Sequence, residues 1–177
     1  MVTTDRDRFA AIAGALIEPL RRFLARRTDP ATAEDVLSET LLVCWRRFAD
    51  LPAEPLPWAY GVARNCLANA ERAGRRHRRL LARMAALEPP PAAIPPEPEP
   101  DDRVARALSA LRADDAELLR LWAWEDLGPA EIAVVLGASA NAVSIRLHRA
   151  RRRLGDEVRK LDAVAGHEES TEEGRRA

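Results

Sequence analysis

The stretch Leu127–Leu154, LGPAEIAVVLGASANAVSIRLHRARRRL, holds two helix-like patterns separated by a short turn. Pro129 suits the first turn of a helix carried by Ile132, Ala133, Val135 and Leu136, because its missing N–H costs nothing there, and Gly137 supplies the positive φ that ends it. Ser139 is placed to cap a second helix, in which Val143, Leu147, Ala150 and Leu154 recur at four, three and four residues and so share one stripe. Helix, glycine turn and helix together make a helix-turn-helix pattern. Away from the apolar stripe lie Asn141, Ser144, Ile145, His148, Arg149 and Arg152, a polar and basic outer face suited to a DNA major groove. The plainer alternative, an αα-hairpin with a solvated arginine face, leaves the coincidence of turn, cap and charge without a purpose.

Formal net charge is zero over 177 residues, but its distribution is not even. Residues 1–87 carry 15 Lys+Arg against 10 Asp+Glu, and residues 103–154 carry 9 against 6. The balancing acid lies elsewhere: residues 88–102 hold five acids and no base, and residues 155–177 seven acids and four bases. Two basic modules are thus separated and trailed by acidic segments, a pattern that suits an anionic partner at each module. With 47% hydrophobic residues the chain has material for one or two small cores. Cys44 and Cys66 have neither a disulfide framework nor zinc spacing, and each fits a buried apolar position in a reducing compartment. A signal peptide and a membrane-length apolar run are both missing, so the expectation is a cytoplasmic protein without membrane insertion.

Taken in order, Phe9, Ile12, Ala13, Leu16, Leu20, Phe23 and Leu24 follow a helical period, with Pro19 suggesting a kink or a break. Thr28-Asp29-Pro30 ends that pattern, and a second helix is predicted over about 31–48, apolar at Val36, Leu37, Thr40, Leu41, Val43, Cys44, Trp45 and Phe48. Its acids Glu34, Asp35 and Glu39 meet the helix dipole and, taken alone, need no further function. Residues 50–57 contain three prolines and read as a loop, followed by a helix to about Ala86. That helix carries Arg72, Arg75, Arg76, Arg78, Arg79 and Arg83 with Glu71 as the nearby acid, so the run repels itself unless something anionic lies along it. EPPPAAIPPEPEPDD, residues 88–102, has seven prolines in fifteen residues and reads as an extended acidic tether; at ~3.1 Å per residue it spans roughly 45 Å. Short helices predicted over 104–111 and 116–124 then supply Leu108, Leu111, Leu118, Leu119, Leu121 and Trp122 to a second core. From 156 onward the chain is expected to be a disordered tail.

Glu131-Ile132-Ala133, Leu136-Gly137, Val143, Arg146-Leu147-His148-Arg149-Ala150-Arg151 and Leu154 resemble the promoter-reading carboxy-terminal region of extracytoplasmic-function sigma factors, members of the sigma-70 family. Ala33-Glu34-Asp35-Val36, Glu39-Thr40 and Trp45 resemble the family segment that docks on the polymerase's largest subunit, which implies Asp35, Ser38 and Glu39 as the polymerase contact. Trp58, Ala63 and Asn65 match the family's segment for the minus-ten promoter element, and the charge of Arg64, Arg72, Arg75, Arg76 and Arg79 on the same helix reads as part of that DNA site. An asparagine can bond a base edge through one acceptor and two donors, while arginines track phosphates. The sequence departs from the family at Ser38 (usually glutamine), Leu41 (usually phenylalanine), Ala116 (often arginine) and Asn141-Ala142 (usually glycine-threonine). Ser144-Ile145 replaces a pair that is commonly basic then serine, so Ile145 is expected against a thymine methyl and Arg149 on guanine.

The expected fold is all-α, two small helical domains joined by a Pro-rich flexible linker, the second containing the helix-turn-helix. The boundaries are 7–87 for the core-binding and minus-ten module, 88–102 for the linker, 103–155 for the minus-thirty-five module, and 156–177 for the tail. The resemblance implies a dissociable sigma factor working with the bacterial RNA polymerase core and promoter DNA, and it suggests an anti-sigma factor as a further partner. A stand-alone helix-turn-helix regulator, needing only the second module and usually a dimer, is the alternative. An enzyme is not expected, since three histidines and two cysteines form no triad or metal spacing and no Gly-rich phosphate loop is present; no cofactor is called for.

Overall fold

The computed structural model describes residues 4–84 and 103–173, with side chains over 4–83 and 103–163. The expected linker at 88–102 lies outside the described residues. Its elements are α1 (Asp5–Ala25), α2 (Pro30–Arg46), a 3-10 turn (Phe48–Asp50), α3 (Pro55–Met84), α4 (Arg103–Ser109), α5 (Ala113–Trp124), α6 (Pro129–Leu136) and α7 (Ala140–Glu173). The chain divides into two compact units, 1–93 with 133–138, and 94–132 with 139–177.

In the first unit α1, α2 and α3 pack on one another. A capping box starts α1, in which Thr4 Oγ1 accepts from the Asp7 N–H, while the Asp7 carboxylate accepts from the Thr4 hydroxyl and the Thr4 N–H, which hold it below its usual range. Of the kink or break expected at Pro19, the break does not occur: α1 runs through the proline. Leu16, Leu20, Phe23 and Leu24 bracket that proline and are essentially fully buried. At about 1.5–3 kcal/mol per buried side chain, their packing outweighs the roughly 3 kcal/mol proline penalty. Asp29 caps α2 by accepting from the Thr32 N–H, with Pro30 in the first turn. Ala33, Val36, Leu37 and Cys44 of α2 meet Ala59, Tyr60, Ala63, Cys66 and Leu67 of α3 in the core. Thr40 is buried among them because its hydroxyl donates to the Val36 carbonyl at 2.7 Å. Trp45, expected in the buried surface of α2, is instead 42% exposed, edge-on to Phe9 and stacked with Phe48.

In the second unit α4 and α5 both lie on α7, and the core is Ala107, Leu108, Leu118, Leu119, Leu121, Ile132, Val143, Leu147 and Ala150. Trp122, also expected in that core, is 37% exposed and carries the Arg151 guanidinium over its ring at 4.5 Å. The amphipathic tryptophan sits at the rim because aliphatic side chains already fill the interior.

The tail expected from 156 falls on residues over which α7 continues, as far as Glu173. Leu154, Val158 and Leu161 extend the stripe of Leu147 and Ala150 at four- and three-residue steps and are half-buried, with α4 packed on α7. Arg103 reaches Asp162 at 3.1 Å, and the pairs Asp156–Arg159 and Glu157–Lys160 run along the helix. The high charge of this segment hid a sparse apolar period that α4 covers.

Candidate nucleic-acid interface

Each end of the helix-turn-helix forms for the reason its residues supply. The Glu131 carboxylate accepts from the Gly128 N–H at 2.8 Å ahead of Pro129 and so opens α6. Gly137 adopts φ 62°, and the Ala138 N–H returns to the Ala133 carbonyl at 3.0 Å, closing the helix. Ser139 Oγ accepts from the Ala142 N–H at 3.2 Å and starts α7, which leaves the turn at 105° to α6. Val143, Leu147 and Ala150 are buried, so α7 has one orientation. Asn141, Ser144, Ile145, His148, Arg149 and Arg152 are all exposed. At about 100° per residue, Asn141, Ile145, His148 and Arg152 occupy the middle of the outward face, whereas Ser144 and Arg149 fall on opposite flanks. Ile145 is 45% exposed, an apolar side chain among polar ones on this face.

On α3 the buried side is Ala59, Tyr60, Ala63, Cys66 and Leu67. Opposite it, Trp58, Asn65, Arg72, Arg76 and Arg79 fall within about 60° of one another, a single row along the helix. Arg64 and Arg75 stand about 100° or more round from Trp58, beside this row. Arg75 is engaged with Glu71 at 3.6 Å, and Arg72 donates to Ala68 O and Asn69 Oδ1. Arg76, Arg78, Arg79 and Arg83 have no ion-pair partner among the described residues. Beyond residue 70 nearly all of α3 is exposed, so this basic stretch is an extension of the bundle and not part of its core.

The acids of α2 separate by role. Glu34 pairs with Arg21 of α1 at 3.0 Å and helps to join the two helices. Asp35, Ser38 and Glu39 are exposed on one face and have no ion-pair partner among the described residues. Leu42, 44% exposed, extends that face by one turn, and sequence reasoning overlooked it. Its signal was present: it lies three residues after Glu39 and seven after Asp35, on the face that carries the acids. Both cysteines are buried, and burial pushes the Cys44 thiol up to about 11. Among the described residues no His, Cys, Asp and Glu side chains gather as a metal site, and no single helix is long and apolar enough to cross a membrane.

Comparison with known proteins bears on both units. Residues 101–154 match the family "Sigma-70, region 4". Over 142 residues the chain is 33% identical to the ECF RNA polymerase sigma factor SigL of Mycobacterium tuberculosis, covering 76% of this chain and 80% of that protein. The chain belongs to the extracytoplasmic-function sigma factors. This sigma factor is also 35% identical over 145 residues to the probable RNA polymerase sigma factor RfaY of Xanthomonas campestris, a longer protein of which it spans 36%. The fold matches the sigma factor RpoE of Bartonella quintana, solved in complex with the anti-sigma factor NepR, with a TM-score of 0.54 over 89% of this chain and 98% of that one at 19% identity. As a sigma factor the chain is a DNA-binding transcription initiation factor.

Proposed function

We propose that this sigma factor directs bacterial RNA polymerase to specific promoters as a dissociable subunit, in the cytoplasm where the polymerase works, without catalysing a reaction itself. The α2 face of Asp35, Ser38 and Glu39, extended by Leu42, docks on the polymerase core. The α3 row of Trp58, Asn65, Arg72, Arg76 and Arg79, with Arg64 and Arg75 beside it, holds the minus-ten element: the arginines follow phosphates, and Asn65 meets a base edge. The outer face of α7, with Asn141, Ser144, Ile145, His148, Arg149 and Arg152, lies against the minus-thirty-five element in the major groove. Residues 7–87 and 103–155 are the two working modules. An anti-sigma protein is the partner that would hold the factor away from polymerase, by likeness to the solved complex of its relative.

The observation that carries this reading is the pairing of exposed faces. An acidic face on α2 and a basic row on α3 belong to one unit, while a basic groove-reading face belongs to the other. A helix-turn-helix regulator acting alone would have no use for the first two. Run-off transcription with core polymerase on a promoter library tests it. Promoter-dependent transcripts that require the added chain are expected; specific duplex binding as a dimer with no response from the polymerase would favour the regulator.

A further inference from the structure

In the second unit, on the flank of α7 that carries Arg149, the surface dips into a notch of about 260 Å³ lined by Arg112, Asp114, Asp115, Arg146, Arg149 and Arg153. Four guanidiniums there face two carboxylates. Asp115 is nearly withdrawn from water, its side chain 12% exposed, and is taken up by Arg153 across the α5–α7 contact. Arg112, Arg146 and Arg149 therefore converge with only Asp114 to balance them, and none of the three has an ion-pair partner among the described residues. Guanidiniums gathered without counter-charge raise the local potential and draw in an anion. Arg112 is also the residue before the first turn of α5, in extended backbone with no side chain closing the helix end. The Ala113 and Asp114 N–H groups at the start of that helix, ahead of the Asp115 N–H that bonds to the Arg112 carbonyl, add to the same attraction. At about 30 Å³ per water, the notch has room for a phosphodiester group with its hydration.

We infer that this notch seats a backbone phosphate of the DNA at the edge of the minus-thirty-five element. Arg112 and Arg146 are its ligands, and Arg149 is shared with them instead of reaching a base edge. The inference rests on the reading of α7 as the groove helix. It assigns sequence discrimination to the middle of the α7 face and gives α5, outside the helix-turn-helix, a share in DNA binding. Phosphate contacts carry no sequence information but fix the register in which the reading helix lies. The Asp115–Arg153 pair is then a positioning device: it ties the start of α5 to α7, so that arginines from two helices close on one phosphate.

The test uses holoenzyme assembled from the full chain and core polymerase. Binding is followed on promoter duplexes in which each phosphate around the minus-thirty-five element is replaced in turn by a neutral methylphosphonate. The Arg112 side chain caps no helix and pairs with no acid among the described residues, so Arg112→Ala should fold as the parent does. It is expected to lower affinity about three- to tenfold on all minus-thirty-five sequences alike and to reduce the salt slope by about 1. That loss should vanish on the duplex with one particular phosphate neutralised, and Arg112→Lys should recover part of it. Asp114→Asn, which removes the opposing charge, should tighten binding. The phosphate assignment is overturned if Arg112→Ala binds every duplex as wild type does, or if its cost is the same at every methylphosphonate. It is equally overturned if the variant keeps its DNA affinity but loses an acidic protein partner. Base changes in the element separate the two readings. A wild type indifferent to them takes α7 out of the groove whatever Arg112 does, whereas a sensitive wild type with an inert Arg112→Ala removes the notch alone.

Discussion

The two units solve the problem of holding a partner and a fold together in different ways. In the first, each exposed task has its own helix: α2 shows acids and Leu42, α3 shows arginines, and both bury their other sides against α1. In the second, one helix does both, since α7 buries Val143, Leu147 and Ala150 while its opposite, exposed side carries the residues proposed to read the promoter. Phe23 and Tyr60 are buried in the first unit, their rings 5.0 Å apart, while its Trp45 lies at the surface, as do Trp122 and Trp124 of the second. Surface substitutions should therefore separate polymerase and DNA functions cleanly in the first unit, and on α7 they act next to the core.

The comparison is broken most severely from the inside. Phe23→Ala removes a fully buried ring from the contact of α1 with α3 and should cost about 3–5 kcal/mol. Denaturant unfolding with hydrogen exchange would report it, protection falling first in α1–α3; an unchanged midpoint would mean that Phe23 does not anchor the bundle.

Next comes the separation of tasks in the first unit. Reversing Asp35 and Glu39 to lysine should weaken binding to core polymerase at least about tenfold, or 1.4 kcal/mol, with helicity unchanged. A competition assay and circular dichroism decide it, and full affinity in the folded variant removes these residues from the contact. On α3, replacing Arg76 or Arg79 by alanine should reduce the salt slope of DNA binding by about 1 per arginine. Asn65→Ala should instead change preference at one base of the minus-ten element. Permanganate footprints identical to wild type in all three variants would count against the row.

In the second unit the comparison is sharpened by Asp115→Asn, which leaves Arg153 without its charge partner. Since Arg153 is more than half exposed, the loss should be modest, about 1 kcal/mol, and smaller at high salt. Thermal melts at two ionic strengths measure it; a stability gain would mean that the pair is not favourable.

Near neutral pH the ionisation of Cys44 changes nothing measurable, but a pH dependence centred on that thiol emerges in alkali. Burial lifts its pKa from 9.0 to about 11, so above pH 9 the unfolded thiol ionises while the folded one stays protonated. The unfolded state then binds fewer protons, and stability falls as pH rises from about 9 to about 11. A Cys44→Ala variant, compared with wild type across that range, should lose this part of the slope.

The helix-turn-helix was legible because its signals are local: Pro129, Gly137 and Ser139 each act within a few residues of where they stand. The stripe of Val143, Leu147 and Ala150 fixed the outward face in the same way, and the acids of α2 and the arginines of α3 were correctly expected at the surface. What escaped depends on distant partners. Whether Pro19 interrupts a helix depends on how tightly Leu16, Leu20, Phe23 and Leu24 are held by α2 and α3. Whether residues after 155 stay helical depends on α4 lying against Leu154, Val158 and Leu161. Trp45 and Trp122 were misplaced because hydrophobicity tells which side chains prefer burial, not which of them find room. The arginine notch could not be seen in one dimension, for Arg112 is far in sequence from Arg146 and meets it only through the α5–α7 contact.

The Arg151 guanidinium over Trp122 has a consequence for observing the molecule at work. Arg151 belongs to the reading helix, yet its cation lies on the face of a half-exposed indole in α5. Indole emission responds to a charge on its ring and to the water around it, so a helix drawn toward a phosphate-rich surface changes the colour and brightness of that tryptophan. On the proposed role of α7, Trp122 emission is expected to gauge promoter engagement, and a Trp122→Phe control separates it from the other three tryptophans without any attached dye.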